Sequence, residues 1–105
     1  MNETQLPREI HRAKCGQFAK ITLEIAADYH CSKEVQLSWV EHYAKREFGA
    51  RTDSTKAQME IRAVPDCAEH LLLHLNFRPA EQELRFSLRD KHTICSEGRI
   101  AVNES

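Results

Sequence analysis

Apolar and polar residues alternate with a period of two in several separate stretches, set around one stretch of helical period. This pattern constrains the chain more than any other feature. Ala19, Ile21, Leu23, Ile25 and Ala27 alternate with Lys20, Thr22 and Glu24. A two-residue period puts the apolar set on one side of an extended backbone, so residues 18–27 are expected to form a strand with one wet face. The same alternation returns in Ala57, Met59, Ile61 and Ala63 against Gln58, Glu60 and Arg62. It returns again in Leu71, Leu73, Leu75 and Phe77 against His74, Asn76 and Arg78, and in Leu84, Phe86 and Leu88 against Arg85, Ser87 and Arg89. Arg78 to Gln82, with Pro79 inside it, reads as the turn of a hairpin. A last strand is expected near Ile100 to Val102, after a turn at Glu97–Gly98.

Between the first two alternating stretches the period changes. Val35, Leu37, Trp39, Val40, Tyr43, Ala44 and Phe48 spread over a broad apolar face at 100° per residue, with Glu34, Ser38, Glu41 and Lys45 opposite. Ser32 can cap the N-terminus and Gly49 the C-terminus, which predicts a helix over about 33–48. So broad a face needs a sheet to cover it. The polar stretch Ala50 to Thr55 reads as a loop, and Leu6 to Cys15 as either a short helix or an extended arm. One segment has two readings. Asp66-Cys67-Ala68-Glu69 fits a capping box before a leucine-rich helix, whereas the alternation running on to Arg78 favours a strand. The expected fold is α+β: one long helix packed on a twisted, mainly antiparallel sheet of four to five strands, in the order β-α-β-β-β(-β).

With 105 residues, the chain is expected to be a single α+β domain with short tails at about 1–5 and 103–105. Fifteen basic residues nearly cancel sixteen acidic ones. Proteins that hold DNA by counterion release carry a clear positive excess, so DNA binding is not expected. No stretch approaches the ~20 apolar residues of a membrane span, and Met1 to Pro7 lacks a secretory pattern. These features imply a cytoplasmic protein, without membrane attachment and with Cys15, Cys31, Cys67 and Cys95 reduced.

Three groups of residues are candidate sites. Cys67, His70 and His74 are spaced C-x2-H-x3-H, with Cys95 available as a fourth ligand. On a helix the two histidines would share a face. On a strand they would lie ~13 Å apart, at ~3.3 Å per residue, and could not hold one ion. The alternative is a surface histidine pair and a buried structural cysteine. Cys31, just before the helix cap, is the best-placed thiol for nucleophilic activation, against the plainer reading of a small hydrophobe at a strand–helix junction. Arg8, Arg12, Lys14 and Lys20 form a basic stretch with Glu9 as its only counter-charge, suited to point contacts with RNA phosphates or to a simple solvated face. Three dispersed glycines build no phosphate-binding loop, and no cofactor is expected.

Pro7-Arg8-Glu9-Ile10, followed by Gly16-Gln17-Phe18-Ala19-Lys20-Ile21-Thr22-Leu23-Glu24-Ile25, resembles the start of domain IV of elongation factor G. In that family a short arginine–glutamate segment precedes a glycine–glutamine–aromatic step into the first strand. The resemblance covers about residues 8–25 and implies a module that contacts the ribosome. The family's GTPase domain has no counterpart here. From the residues themselves, the leading expectation is a small non-catalytic interaction protein. It would act through a sheet edge or face on a protein partner or on itself. A translation-associated RNA-contacting module and a metal-binding protein are the alternatives.

Overall fold

The computed structural model of the chain describes residues 6–14, 20–27, 32–65, 69–91 and 93–103. One helix, α1 (Lys33–Phe48), is wrapped by a six-stranded antiparallel sheet. The strands are β1 (Arg8–Lys14), β2 (Lys20–Ala26), β3 (Arg51–Ile61), β4 (Leu71–Arg78), β5 (Glu83–Arg89) and β6 (Ile94–Asn103), laid out in the order β1-β2-β4-β5-β6-β3.

The centre of the sheet follows directly from the period-two pattern. Ile21, Leu23 and Ile25 of β2 stand opposite Leu75, Leu73 and Leu71 of β4, and all six are buried. Leu73 and Leu75 in turn stand opposite Leu88 and Phe86 of β5, and Leu84 opposite Ile100 of β6. These apolar rows run across the strands, and α1 lies over them. Its buried residues Gln36, Trp39, Val40, Tyr43 and Ala44 recur at helical spacing and form the stripe that meets the sheet. Ser32 caps the helix by accepting from the Val35 N–H at 3.2 Å. Gly49 ends it in the left-handed region at φ 65°, where a side chain would be strained, and its N–H reaches back to the carbonyls of Ala44 and Lys45.

Several expectations need correction. The described residues form six strands where four or five were expected. Of the two readings of Leu6 to Cys15, the extended one holds, as strand β1. The stretch Ala50 to Thr55, expected as a loop, is mostly the first half of β3. Residues 71–78 are a strand; of the rival capping box, 66–68 lie outside the described residues. The Glu97–Gly98 turn is instead the middle of β6, which runs on through Asn103, a residue expected in the tail. The connectivity differs too. β3 does not lie beside β4, the next strand in the chain; it crosses to the far edge and pairs with β6, while β2 takes the place beside β4.

Gly98 explains how β3 reaches that edge. It lies between Phe86 of β5 and Met59 of β3 in one cross-strand row. A Cβ there would sit 2.1 Å from the Gln58 carbonyl oxygen and 2.8 Å from Phe86 Cζ. The missing side chain is the space that the phenyl ring and the β3 backbone occupy.

Candidate protein interface

The sheet has two edges, β1 and β3, and they are built differently. β1 is short and polar. Its Glu9 carboxylate accepts from both terminal nitrogens of Arg46 near the end of α1, at 2.8 and 3.0 Å. Arg12 bonds Glu47, whose side chain is almost fully buried, and Arg46 also donates to Glu47 at 2.8 Å. Arg46 further lies 4.8 Å over the Tyr43 ring. This network shifts the ionisations of its members. The hydrogen bond from Arg46 leads in holding the Glu9 carboxyl below its usual range. Burial pushes the Glu47 carboxyl up, but the bonds from Arg12 and Arg46 outweigh it and leave the group lowered. The Arg46 guanidinium is raised, chiefly by Glu9. The charged strand is thereby clamped onto the helix end, one of the ways in which proteins block an edge.

β3 is longer, with 11 residues, and more open. Its first residues pair with β6 as Arg51↔Asn103 to Asp53↔Ala101, and Thr52 Oγ1 donates to Glu41 of α1 at 3.1 Å. The ladder then breaks. Between Asp53 and Gln58 the strand bulges, and pairing resumes as Gln58↔Arg99 to Ile61↔Ser96. Asp53 holds the bulge by accepting from the Thr55 N–H at 3.1 Å and from its hydroxyl. Beyond the strand, the Arg62 N–H donates to the Cys95 carbonyl at 2.8 Å. Backbone groups in an antiparallel ladder point alternately toward and away from the neighbouring strand. Arg62, Glu60 and Gln58 therefore face β6, and the N–H and C=O groups of Met59 and Ile61 face outward at the open edge. Ile61 and Val64, at the end of this edge, are 41% and 56% exposed large hydrophobic residues.

The outer surface beside β3 carries a cleft of about 310 Å³ lined by Gln58, Glu60, Arg62, Arg85, Glu97 and Arg99 among others. Its charges neutralise one another: Arg62 bonds Glu60 at 2.9 Å and also Glu97, and Glu83 holds Arg85 at 2.9 Å and Arg99 at 3.6 Å. An open cleft at the small end of the ligand-pocket range, with its charges paired to one another, is a poor fit to a small-molecule site.

The sites expected from sequence are dispersed. His70 and His74 lie on or beside the extended β4, each engaged by β2: His70 Nδ1 is 2.8 Å from Glu24 Oε2, and His74 Nδ1 is 3.0 Å from Thr22 Oγ1. Burial, with help from Arg89, lowers the His74 pKa and favours its neutral form. Cys95 is buried with its thiol pushed up by burial. Cys67 and Cys31 lie outside the described residues, among which no group of three or more His, Cys, Asp or Glu could hold a metal ion. Of the basic stretch, Arg12 is committed to Glu47, and Arg8 sits opposite Ala26 at one end of the β1–β2 pair. Lys14 sits opposite Ile21 at the other end, next to Lys20, about 20 Å from Arg8 at ~3.3 Å per residue. The segment resembling elongation factor G spans β1 and most of β2, with residues 15–19 outside the described set. No helix among the described residues is long and apolar enough to cross a membrane.

One buried polar contact went unforeseen. Ser96 Oγ on β6 donates to Gln36 Oε1 of α1 at 3.0 Å inside the core, and Gln36 Nε2 has no partner among the described residues. That β3 forms the open edge was missed for a different reason: alternation marks Ala57 to Ala63 as a strand but does not say that the strand crosses to pair with β6.

No protein-family model and no curated protein matches the chain. Solved structures do match it. A chain of the dehydratase heterocomplex ApeI:P from Xenorhabdus doucetiae superposes with a TM-score of 0.77 at 22% sequence identity, over 95% of this chain and 100% of that one. An uncharacterised protein from Erwinia carotovora subsp. atroseptica superposes with a TM-score of 0.64 at 18% identity, over 94% of this chain and 97% of that one. At these identities the likeness establishes a shared fold.

Proposed function

We propose that this chain is a non-catalytic binding subunit that joins another protein along the open edge of β3. The observation that carries this reading is the outward-facing backbone of Met59 and Ile61 on a long edge strand that ends in exposed apolar residues. Such an edge offers donors and acceptors in register for an added strand, and side chains on either face of the strand provide selectivity. The similar chain found in a dehydratase heterocomplex supports the reading, because that protein works in assembly with another. The neutralised charges of the neighbouring cleft point the same way, since they leave a surface suited to contact rather than a site poised to react.

Site-specific photo-crosslinking in the chain's own cells tests this. A photoreactive residue at Lys56 of β3 is expected to capture a protein, whereas one at His11 of β1 is not. No adduct from position 56, or equal capture at both positions, overturns the proposal.

A further inference from the structure

We infer that the occupant of the β3 edge is a second copy of this chain, paired antiparallel about a two-fold axis that passes through Gln58. The inference rests on β3 being the working edge and adds which partner sits there and in which register.

Backbone geometry restricts the choices first. Two antiparallel strands pair residue i with residue j only when both direct their N–H and C=O groups toward each other, or both direct them away. Met59 and Ile61 face outward, so in a two-fold pair the axis must fall on a residue, not between two. A registry shifted by half a step would oppose an outward residue to an inward one.

Charge selects among the rest. On the wet face of β3 lie Lys56, Gln58 and Glu60, all exposed, while the alternate residues Ala57 and Met59 are half-buried against the core. An axis on Lys56 or on Glu60 sets that charge against its own copy. An axis on Met59 opposes Lys56 to Arg62. An axis on Ala57 opposes Lys56 to Gln58 and gains no ion pair. An axis on Ile61 opposes Glu60 to Arg62, but it sets the strand against residues 62–65, which lie beyond the end of β3. An axis on Gln58 opposes Lys56 to Glu60 of the second copy, and does so twice by symmetry. Directly opposed unlike charges stabilise a strand pair and like charges destabilise it. On the other face the same register sets the half-buried Ala57 against Met59. Glu60 gives up little in the exchange, since its present partner Arg62 also holds Glu97.

Sedimentation equilibrium on the full chain, with K56E and E60K variants, reads this register. The wild type is expected to dimerise reversibly, and more weakly as salt screens the pairs. Each single variant replaces two attractions with two repulsions and should weaken its own dimer by about tenfold or more. Mixing the two variants restores both unlike pairs, so the mixture should associate like the wild type. Because both side chains are exposed, circular dichroism should show each variant folded. A mixture no tighter than either variant alone overturns the register. A wild type that stays monomeric overturns self-pairing. If crosslinks from Lys56 then lead to a different protein, the β3 interface survives without self-pairing; if they lead to none, both readings fail.

Discussion

The two edges of the sheet solve one physical problem in opposite ways. Any edge strand exposes unpaired backbone groups. At β1 the exposed strand is short, carries Arg8, Glu9, His11, Arg12 and Lys14, and is pinned to the end of α1 through Glu9–Arg46 and Arg12–Glu47. Both strands carry a bulge, but β3 is longer, and Ile61 and Val64 lie exposed at its end. One edge spends its charges on the rest of its own molecule. The other keeps Lys56 exposed on its wet face and holds Glu60 through Arg62, a surface residue. The contrast separates an edge closed by internal ion pairs from one left available to another chain.

The largest effect should come from Gly98, which lets β3 lie against β6. Gly98→Ala puts a methyl group where the Gln58 oxygen and Phe86 ring now stand, and overpacking of this kind costs about 1–3 kcal/mol. Urea unfolding should show a loss near the top of that range, with amides of β3, but not of β1, losing exchange protection. A loss below ~0.5 kcal/mol would mean β3 is not held as described.

Proline separates the two sides of β3 itself. Glu60→Pro removes an N–H that faces β6 and should destabilise the monomer, whereas Ile61→Pro removes one that faces outward and should be tolerated as edge prolines are. Thermal melts of dilute protein should rank Ile61→Pro well above Glu60→Pro, and Ile61→Pro should abolish association. Equal melts would reverse the assignment of inward and outward groups.

A smaller effect is expected at β1. Arg46→Ala removes the ion pairs that clamp the strand, each worth roughly 0.2–1 kcal/mol at a surface, so the loss should be about 1 kcal/mol. The pH profile carries its own signature. Glu9 and Glu47 bind protons less readily when folded than when unfolded, so they stabilise the fold above their ordinary 4.5, and that contribution is lost as pH falls through their lowered values. The wild type should therefore lose stability more steeply than Arg46→Ala below about pH 4.5. Parallel profiles would show that the clamp does not hold β1.

The smallest effect belongs to the centre of the sheet and serves as a control on both edges. His74 is lowered by burial, so the unfolded chain takes up its proton first and stability declines as pH drops below about 6.5. His74→Gln should flatten that decline without altering association. An association that tracked His74 would tie the interface to the wrong strand.

The parts of the fold legible in the sequence are those with one wet face and one dry face. β2, β4 and β5 each alternate because the helix covers one side only, and α1 carries both its stripe and its caps in its residues. The edges were harder to read, for physical reasons. β1 is mostly charged, and a register shift between Glu9 and His11 separates its two apolar residues, Ile10 and Ala13, so Arg8 to Lys14 shows no period of two. In β3 the bulge throws Arg51 to Thr55 out of phase with the alternation that resumes at Ala57, and the segment looks like a loop despite Thr52 and Thr55. Gly98 looked like a turn because a glycine yielding space to a neighbouring phenyl ring leaves the same mark in a sequence. A sheet-edge interface could be expected in general from the alternation, but deciding which edge requires knowing that β3 crosses to β6.

Residue-resolved amide hydrogen exchange on the intact chain, at low and at high concentration, asks the central question most directly. The Met59 and Ile61 amides are expected to exchange freely in dilute protein and to become protected as concentration rises, while β1 amides exchange alike in both samples. If the β3 amides exchange equally fast at every concentration, or if β1 gains the protection instead, the division between a closed and an open edge is wrong.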